Sequence, residues 1–227
     1  MIYDYYLFDM DNCLIHYPDF MEFFDTVLVN TLESYVIGLP DKQERNKIWN
    51  TGIAYNRLLK KWGISNFIEF WEKFNENDFK GRKELINKGE IYLYKDVIDV
   101  LTLIKKAKRK SAIISNSPRY IVDDFVNRFE IAPFFDEILG IDYEYESHKA
   151  KPSPLGIISV LKKLNYNSSK SKAIMIGDSI IDIIAAKKAN IYACLIKRNL
   201  NKNKDRFEDW EYKPDFITSN LYNIFKF

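Results

Sequence analysis

Leu7-Phe8-Asp9-Met10-Asp11-Asn12-Cys13-Leu14 joins an apolar run to two aspartates one residue apart. The run from Tyr5 to Phe8 reads as a buried strand, and the aspartates fall where it ends. Alternate residues of a strand share a side, so Asp9 and Asp11 are expected to crown its C-terminal edge in one small volume. Two crowded carboxylates repel, so one must hold a proton or a cation must sit between them. Such a pair suits a metal-assisted reaction in which one carboxylate attacks and the other moves protons. Asp-x-Asp also occurs in turns and exposed loops, so its meaning depends on what the remaining chain brings to it.

Downstream of this loop, residues 15 to 92 carry helical periodicity. Phe20, Phe23, Phe24, Val27 and Leu28 recur at three-and-four spacing. So do Ile48, Tyr55, Leu58, Leu59 and Trp62, and then Phe67, Phe70, Trp71 and Phe74. Turn residues at Gly38–Asp41 and Gly63–Asn66 punctuate the runs. We read a small all-helical module whose aromatic stripes form its own core.

From Tyr94 onward, helices alternate with short apolar strands. Val97, Val100, Leu101 and Ile104 mark a helix ending in the cations of Lys105–Lys110. Ser111–Ile114 reads as a strand ending at Ser115-Asn116-Ser117-Pro118, followed by a helix burying Ile121, Val122, Phe125, Val126 and Phe129. Glu137–Gly140 is a short strand candidate. Ser153-Pro154 opens a helix that should bury Ile157, Ile158, Leu161 and Leu164. Ala173–Ile176 is a strand ending at Gly177-Asp178-Ser179, and an Ala-rich helix follows; Ala193–Ile196 and Phe216–Thr218 read as the last strands. Repeated strand–helix–strand units predict a doubly wound (Rossmann-like) parallel sheet, an α/β core of residues 1–14 and 93–227 beside the helical module of residues 15–92. Ligands of such sheets bind at the carboxyl ends of the strands. The polar clusters Asp9/Asp11, Ser115/Asn116 and Gly177/Asp178 all fall there.

Each cluster has a chemical use and an ordinary alternative. Ser115 offers a hydroxyl, and the amides of Asn116 and Ser117 lie near a helix N-terminus that favours an anion; alone, this segment reads as a plain N-cap. Asp178 and Asp182, four apart at a helix start, are hard oxygen ligands suited to Mg²⁺. The alternative is helix capping by Asp178 and a solvated Asp182. Lys151 could reach in as a fixed cation or stay on the surface.

Composition limits the classes. The 227 residues are 47% hydrophobic and 15% aromatic, enough for a packed interior. The net charge of +2 balances 34 basic against 32 acidic residues, which gives no support for nucleic-acid or membrane-surface binding. The basic stretches Lys105–Lys110 and Lys197–Lys204 read as a solvated helix end and a surface loop. Cys13 and Cys194 form no Cys-x-x-Cys pair and read as reduced thiols. The N-terminus shows no basic segment followed by an apolar one, and no apolar run approaches the ~18 residues that span a bilayer. The expectation is a cytoplasmic protein, monomer or homodimer.

Taken together, Asp9-Met10-Asp11 after a first strand, Ser115 after a second, Lys151 before Pro152, and Gly177-Asp178-Ser179-Ile180-Ile181-Asp182 after a later one resemble the four motifs of the haloacid dehalogenase (HAD) superfamily. They occur in order over nearly the whole chain. The pattern looks like the phosphoglycolate-phosphatase-like branch, in which a helical cap follows the first motif; residues 15–92 would be that cap. The resemblance implies a Mg²⁺-dependent phosphatase for a small phosphorylated metabolite such as phosphoglycolate, a sugar phosphate or a nucleoside monophosphate. Asp9 would form an aspartyl-phosphate, and Asp11 would act as acid and then base. Asp9, the Asp11 carbonyl and Asp178 would hold the metal with Asp182 in support, and Ser115, the Asn116 amide and Lys151 would hold the phosphoryl oxygens. The presence of Asp11 argues against the dehalogenase reaction, whose enzymes lack that second aspartate. A phosphomutase of the β-phosphoglucomutase type and a non-catalytic binding protein are the alternatives. Cys13 stands where the family carries a threonine, which bears on how firmly the nucleophile loop is supported. His16 and Tyr17 are candidates for touching substrate or, equally, for packing at a hinge; Arg57 and Lys60 are further candidates for substrate contact, while His148 reads as exposed.

Overall fold

The computed structural model describes residues 2–35, 38–50, 55–141, 145–198 and 209–227. The strands are β1 (Tyr5–Phe8), β2 (Ile15–His16), β3 (Tyr92–Leu93), β4 (Lys110–Ile114), β5 (Glu137–Leu139), β6 (Ala173–Gly177), β7 (Tyr192–Ile196) and β8 (Phe216–Thr218). The helices are α1 (Phe20–Leu32), α2 (Lys42–Asn46), α3 (Tyr55–Lys61), α4 (Phe67–Asn87), α5 (Val97–Lys106), α6 (Arg119–Arg128), α7 (Leu155–Lys163) and α8 (Ile180–Lys188).

Six strands form one parallel sheet in the order β5-β4-β1-β6-β7-β8, an α/β Rossmann-like core. β1 lies inside it, with Phe8 in register with Ile113 of β4 and Ile176 of β6. Such a strand is buried on both faces, which is why Tyr6, Leu7 and Phe8 are all apolar and fully buried. Leu7, Ala112 and Met175 share a cluster with Ile157, Val160 and Leu161 of α7 and with Ile183, Ala185 and Ala186 of α8. The small alanines let α8 approach the sheet closely.

The helices α5, α6, α7 and α8 all end alike, with Lys108, Glu130, Asn165 and Asn190 in the left-handed region at φ between 55° and 58°. After α5, for example, Arg109 N–H returns to the Ile104 carbonyl at 3.1 Å. None of the four is glycine, so no glycine marks these helix ends in the sequence. This explains one correction. The basic run 105–110 reads as the end of α5, yet that helix stops at Lys106 and Lys110 begins β4. Two more concern α7: it starts at Leu155 after an N-cap Pro154 whose side chain makes no cap bond, and Ile158 is 45% exposed. The buried face of α7 runs through Gly156, Ile157, Val160 and Leu161, so Ile158 is turned away from it.

The chain divides into two compact units, one running to His16 and resuming at Leu93, the other spanning Tyr17–Tyr92. The sequence reading put these junctions at 14/15 and 92/93, so Ile15 and His16 lie on the other side of the first one. In the helical unit α1 packs on α4, and Val27, Leu28, Leu32, Ile48, Leu59, Ile64, Phe70 and Phe74 form the core. The run from Ile48 to Trp62 is not one helix. It comprises a 3₁₀ turn at Lys47–Asn50 and α3, with residues 51–54 outside the described residues. Arg82 is fully buried, pairs with Asp78 at 2.7 Å, and donates to the Tyr17 hydroxyl. Tyr17 is thus inside this unit, while Arg57 and Lys60 are exposed on α3. Among the described residues no helix is long and apolar enough to cross a membrane.

Candidate active site

Because β4, β1 and β6 run parallel and in register, the residues that follow them emerge along one edge. Asp9 N–H continues the ladder to the Ile176 carbonyl at 2.8 Å, which fixes the start of the loop. The loop then turns tightly. Leu14 and Ile15 N–H both return to the Met10 carbonyl, at 2.9 and 3.1 Å, and Asn12 takes φ 54°. Asparagine tolerates that conformation better than most residues.

Lys151 lies at the centre. Its ammonium meets Asp9 Oδ1 at 2.5 Å, Asp182 Oδ1 at 2.7 Å and the Ile114 carbonyl at 2.7 Å. The ammonium donates to Asp9 Oδ1 and to the Ile114 carbonyl, while Asp182 Oδ1 is an ion-pair partner only. The Asn116 side chain clamps the Lys151 backbone, donating to its carbonyl and accepting from its N–H, each at 2.8 Å. The sequence reading assigned Asn116 only through its own amide, so this anchoring went unforeseen. Ser115 Oγ accepts from Ser117 N–H at 3.0 Å, and Ser117 Oγ donates to Asp11 Oδ2 at 3.3 Å.

Asp178 lies before α8, so its convergence with Asp182 does not come from helical i,i+4 stacking; Ser179 is the N-cap. Asp182 is no solvated residue either, being 1% exposed. Its Oδ2 accepts from Ser179 N–H at 3.1 Å and Ser179 Oγ at 2.6 Å. Gly177 makes this possible, since a Cβ there would lie 2.2 Å from Asp182 Cγ.

Carboxylate oxygens of Asp9, Asp178 and Asp182 lie within 4.8 Å of one another. Burial pushes the Asp9 carboxyl well above its usual range, with Asp182, Asp178 and Asp11 adding to the rise and Lys151 opposing it. Burial and Asp182 push Asp178 to about 7 against Lys197 and Lys151. For Lys151 burial acts downward, but Asp182 and Asp9 outweigh it and hold the ammonium above its ordinary range. Asp9, Asp178 and Asp182 set hard oxygen donors side by side, and the upward push that they exert on one another is what a divalent cation would relieve.

Only Lys197 and Arg198 of the basic stretch 197–204 fall among the described residues, and neither is merely a surface charge. Lys197 Nζ donates to the Asp178 carbonyl at 3.0 Å, and Arg198 reaches the Cys13 carbonyl. The sequence carried no signal for them beyond their place at the end of a strand. His16 Nδ1 lies 3.4 Å from the Tyr94 hydroxyl, and His148 is exposed. Cys13 is fully buried, its thiol pushed up by burial and by Asp9 and directed at the Ile176 carbonyl at 3.5 Å.

Residues 6–196 match the family model described as haloacid dehalogenase-like hydrolase. The chain belongs to that family. A relative from Caldanaerobacter subterraneus subsp. tengcongensis, provisionally named pyrophosphatase PpaX, is 26% identical over 169 residues, 73% of this chain and 67% of its own. The phosphoglycolate phosphatase of Psychrobacter arcticus is 33% identical over 132 residues, 55% of each chain. This chain spans about half the length of the phosphoglycolate phosphatases it matches. A solved structure from Bacteroides fragilis, provisionally assigned as a haloacid dehalogenase-like hydrolase, superposes with a TM-score of 0.71 at 25% identity, covering 98% of this chain and 99% of that one.

Proposed function

We propose that this family member is a Mg²⁺-dependent phosphatase that hydrolyses a small phosphorylated metabolite through an aspartyl-phosphate on Asp9. The observation that carries the reading is the Asp9–Lys151–Asp182 chain of contacts with Asp178 beside it. It combines a nucleophile, a fixed cation and an acidic cluster at one sheet edge.

Asp9 attacks phosphorus, and the bond to the leaving oxygen breaks as the new one forms. Asp11, held by Ser117 Oγ, gives its proton to the leaving oxygen and later takes one from the water that cleaves the acyl phosphate. Lys151, the Ser115 hydroxyl and the Asn116 amide hold the phosphoryl oxygens. Asp9, the Asp11 carbonyl and Asp178 would bind Mg²⁺, with Asp182 fixing Lys151 and Ser179 behind them. When bound, the cation neutralises the repulsion between carboxylate and phosphate. In this reading the helical unit is the family's cap. Phosphoglycolate is the first substrate to try, since it is in the names of several relatives, followed by sugar phosphates and nucleoside monophosphates.

The test is phosphate release across such metabolites with Mg²⁺, wild type beside Asp9→Asn. The wild type should turn over at least one substrate, and the variant should lose at least about 10³-fold. Equal release from both would remove Asp9 as nucleophile. An isomerised product without phosphate would point to a mutase, and silence on every substrate to a binding protein.

A further inference from the structure

Arg198, just past β7, lies in none of the motifs that define the site, yet each of its three guanidinium nitrogens has an acceptor. Nε and Nη2 both donate to the Cys13 carbonyl, at 3.1 and 2.5 Å. Nη1 pairs with Asp96 Oδ2 at 2.6 Å, and the group stacks on the Tyr94 ring with Cζ 4.0 Å from its centroid. Asp96 Oδ2 also accepts from Leu221 N–H at 2.7 Å, which ties the pair to the C-terminal 3₁₀ turn. The two side chains are only 10% and 9% exposed, so the pair is held away from water. The Cys13 carbonyl belongs to the turn that presents Asp9 and Asp11. Within that turn the Met10 carbonyl accepts from Leu14 and Ile15, and the Leu14 carbonyl accepts from Tyr94 N–H at 3.0 Å. Arg198 therefore secures a main-chain carbonyl of that turn with two hydrogen bonds. The preceding residue, Lys197, holds the Asp178 carbonyl. Two consecutive cations thus tie the end of β7 to the loop after β1 and to the loop after β6.

We propose that Arg198 is a positioning residue: its forked guanidinium, oriented by Asp96 and Tyr94, fixes the Asp11-Asn12-Cys13 turn and with it the aim of Asp9 and Asp11. The inference rests on the phosphatase reading for its kinetic consequence but not for its structural one. Truncating Arg198 alone would strand the buried Asp96 carboxylate and could unfold the chain. The variants are therefore Arg198→Lys, which keeps charge but loses the fork, and Arg198→Met combined with Asp96→Asn, which removes both charges.

Amide hydrogen exchange on the Mg²⁺-free protein reads the turn directly. Leu14 and Ile15 should exchange at least about tenfold faster in the double variant and by a smaller factor in Arg198→Lys, while amides of β4 and β6 keep their protection. With a substrate from the screen, kcat should fall about 10- to 100-fold while KM stays within about threefold, as a misaimed nucleophile requires. Unchanged exchange and unchanged kcat would overturn the proposal. So would a general rise in exchange through β4 and β6, which would make Arg198 a support of the whole fold. If the wild type releases no phosphate, the phosphatase reading fails, and exchange at Leu14 and Ile15 alone decides for or against Arg198.

Discussion

Lys151 balances more of the site's charge than any single carboxylate does, because it contacts both Asp9 and Asp182 while its side chain is only 2% exposed. Replacing it with methionine would leave two carboxylates facing each other without their counter-ion. Breaking a buried pair from one side costs about 3–5 kcal/mol, and Lys151→Met should lose stability of that order in Mg²⁺-free denaturant titrations at neutral pH. A loss below about 1 kcal/mol would mean that water reaches the pair. Lys151 alone could not be assigned from sequence, since one lysine before a proline reads more often as surface. What made it legible was its order among the other motifs. Lys197 and Arg198 had no such context, and their role came from the parallel register that carries β7 alongside β6.

At the scale of elements, the strands were the most legible part, because each central one is a short apolar run stopping at polar residues. Tyr5–Phe8 and Phe216–Thr218 have the bounds that the apolar pattern implied, and the other strands of the six-stranded sheet differ by one residue, but β2 and β3, at the ends of the stretch read as all-helical, carry no such pattern. Helix faces were harder to read. In α7 the pattern of apolar residues is wide enough to include Ile158, and only packing against Leu139, Met175 and their neighbours selects Ile157, Val160 and Leu161. The consequence is measurable. Ile157→Ala should cost about 2–5 kcal/mol of unfolding free energy, and Ile158→Ala less than about 0.5 kcal/mol. Equal losses in urea titrations would mean that the exposed side of α7 is covered in solution. The acidic loop before α8 was mis-phased for a related reason. Asp178 precedes the helix, and the two aspartates meet because Gly177 leaves room, a close approach that no periodicity encodes.

For the whole molecule, the acidic edge predicts how stability responds to pH and cation. A carboxyl whose pKa is raised on folding, as Asp178 is to about 7, keeps a proton that the unfolded chain releases near 3.8. Its stabilising contribution is present below about pH 4 and is lost as pH rises through about 7. Mg²⁺ held by this carboxylate would compete with that proton, so it should raise the melting temperature little at about pH 5.5 and most at about pH 8. At a hundredfold excess over its dissociation constant the gain is about 2.7 kcal/mol, or roughly 5–10 °C for a chain of this size. Asp178→Asn should abolish the shift, and a response independent of pH would refute a carboxylate-bound cation. The order of the sheet also governs how the protein is made. Tyr5 of β1 pairs with Lys110 and Ala173, partners that leave the ribosome more than a hundred residues later. At about 5–20 residues per second, the buried strand β1 waits on the order of ten seconds for its first neighbour. During that interval it is a natural client for chaperones. Asp9 is synthesised early and meets Lys151 and Asp182 late, so the candidate site is assembled only when the fold is almost finished.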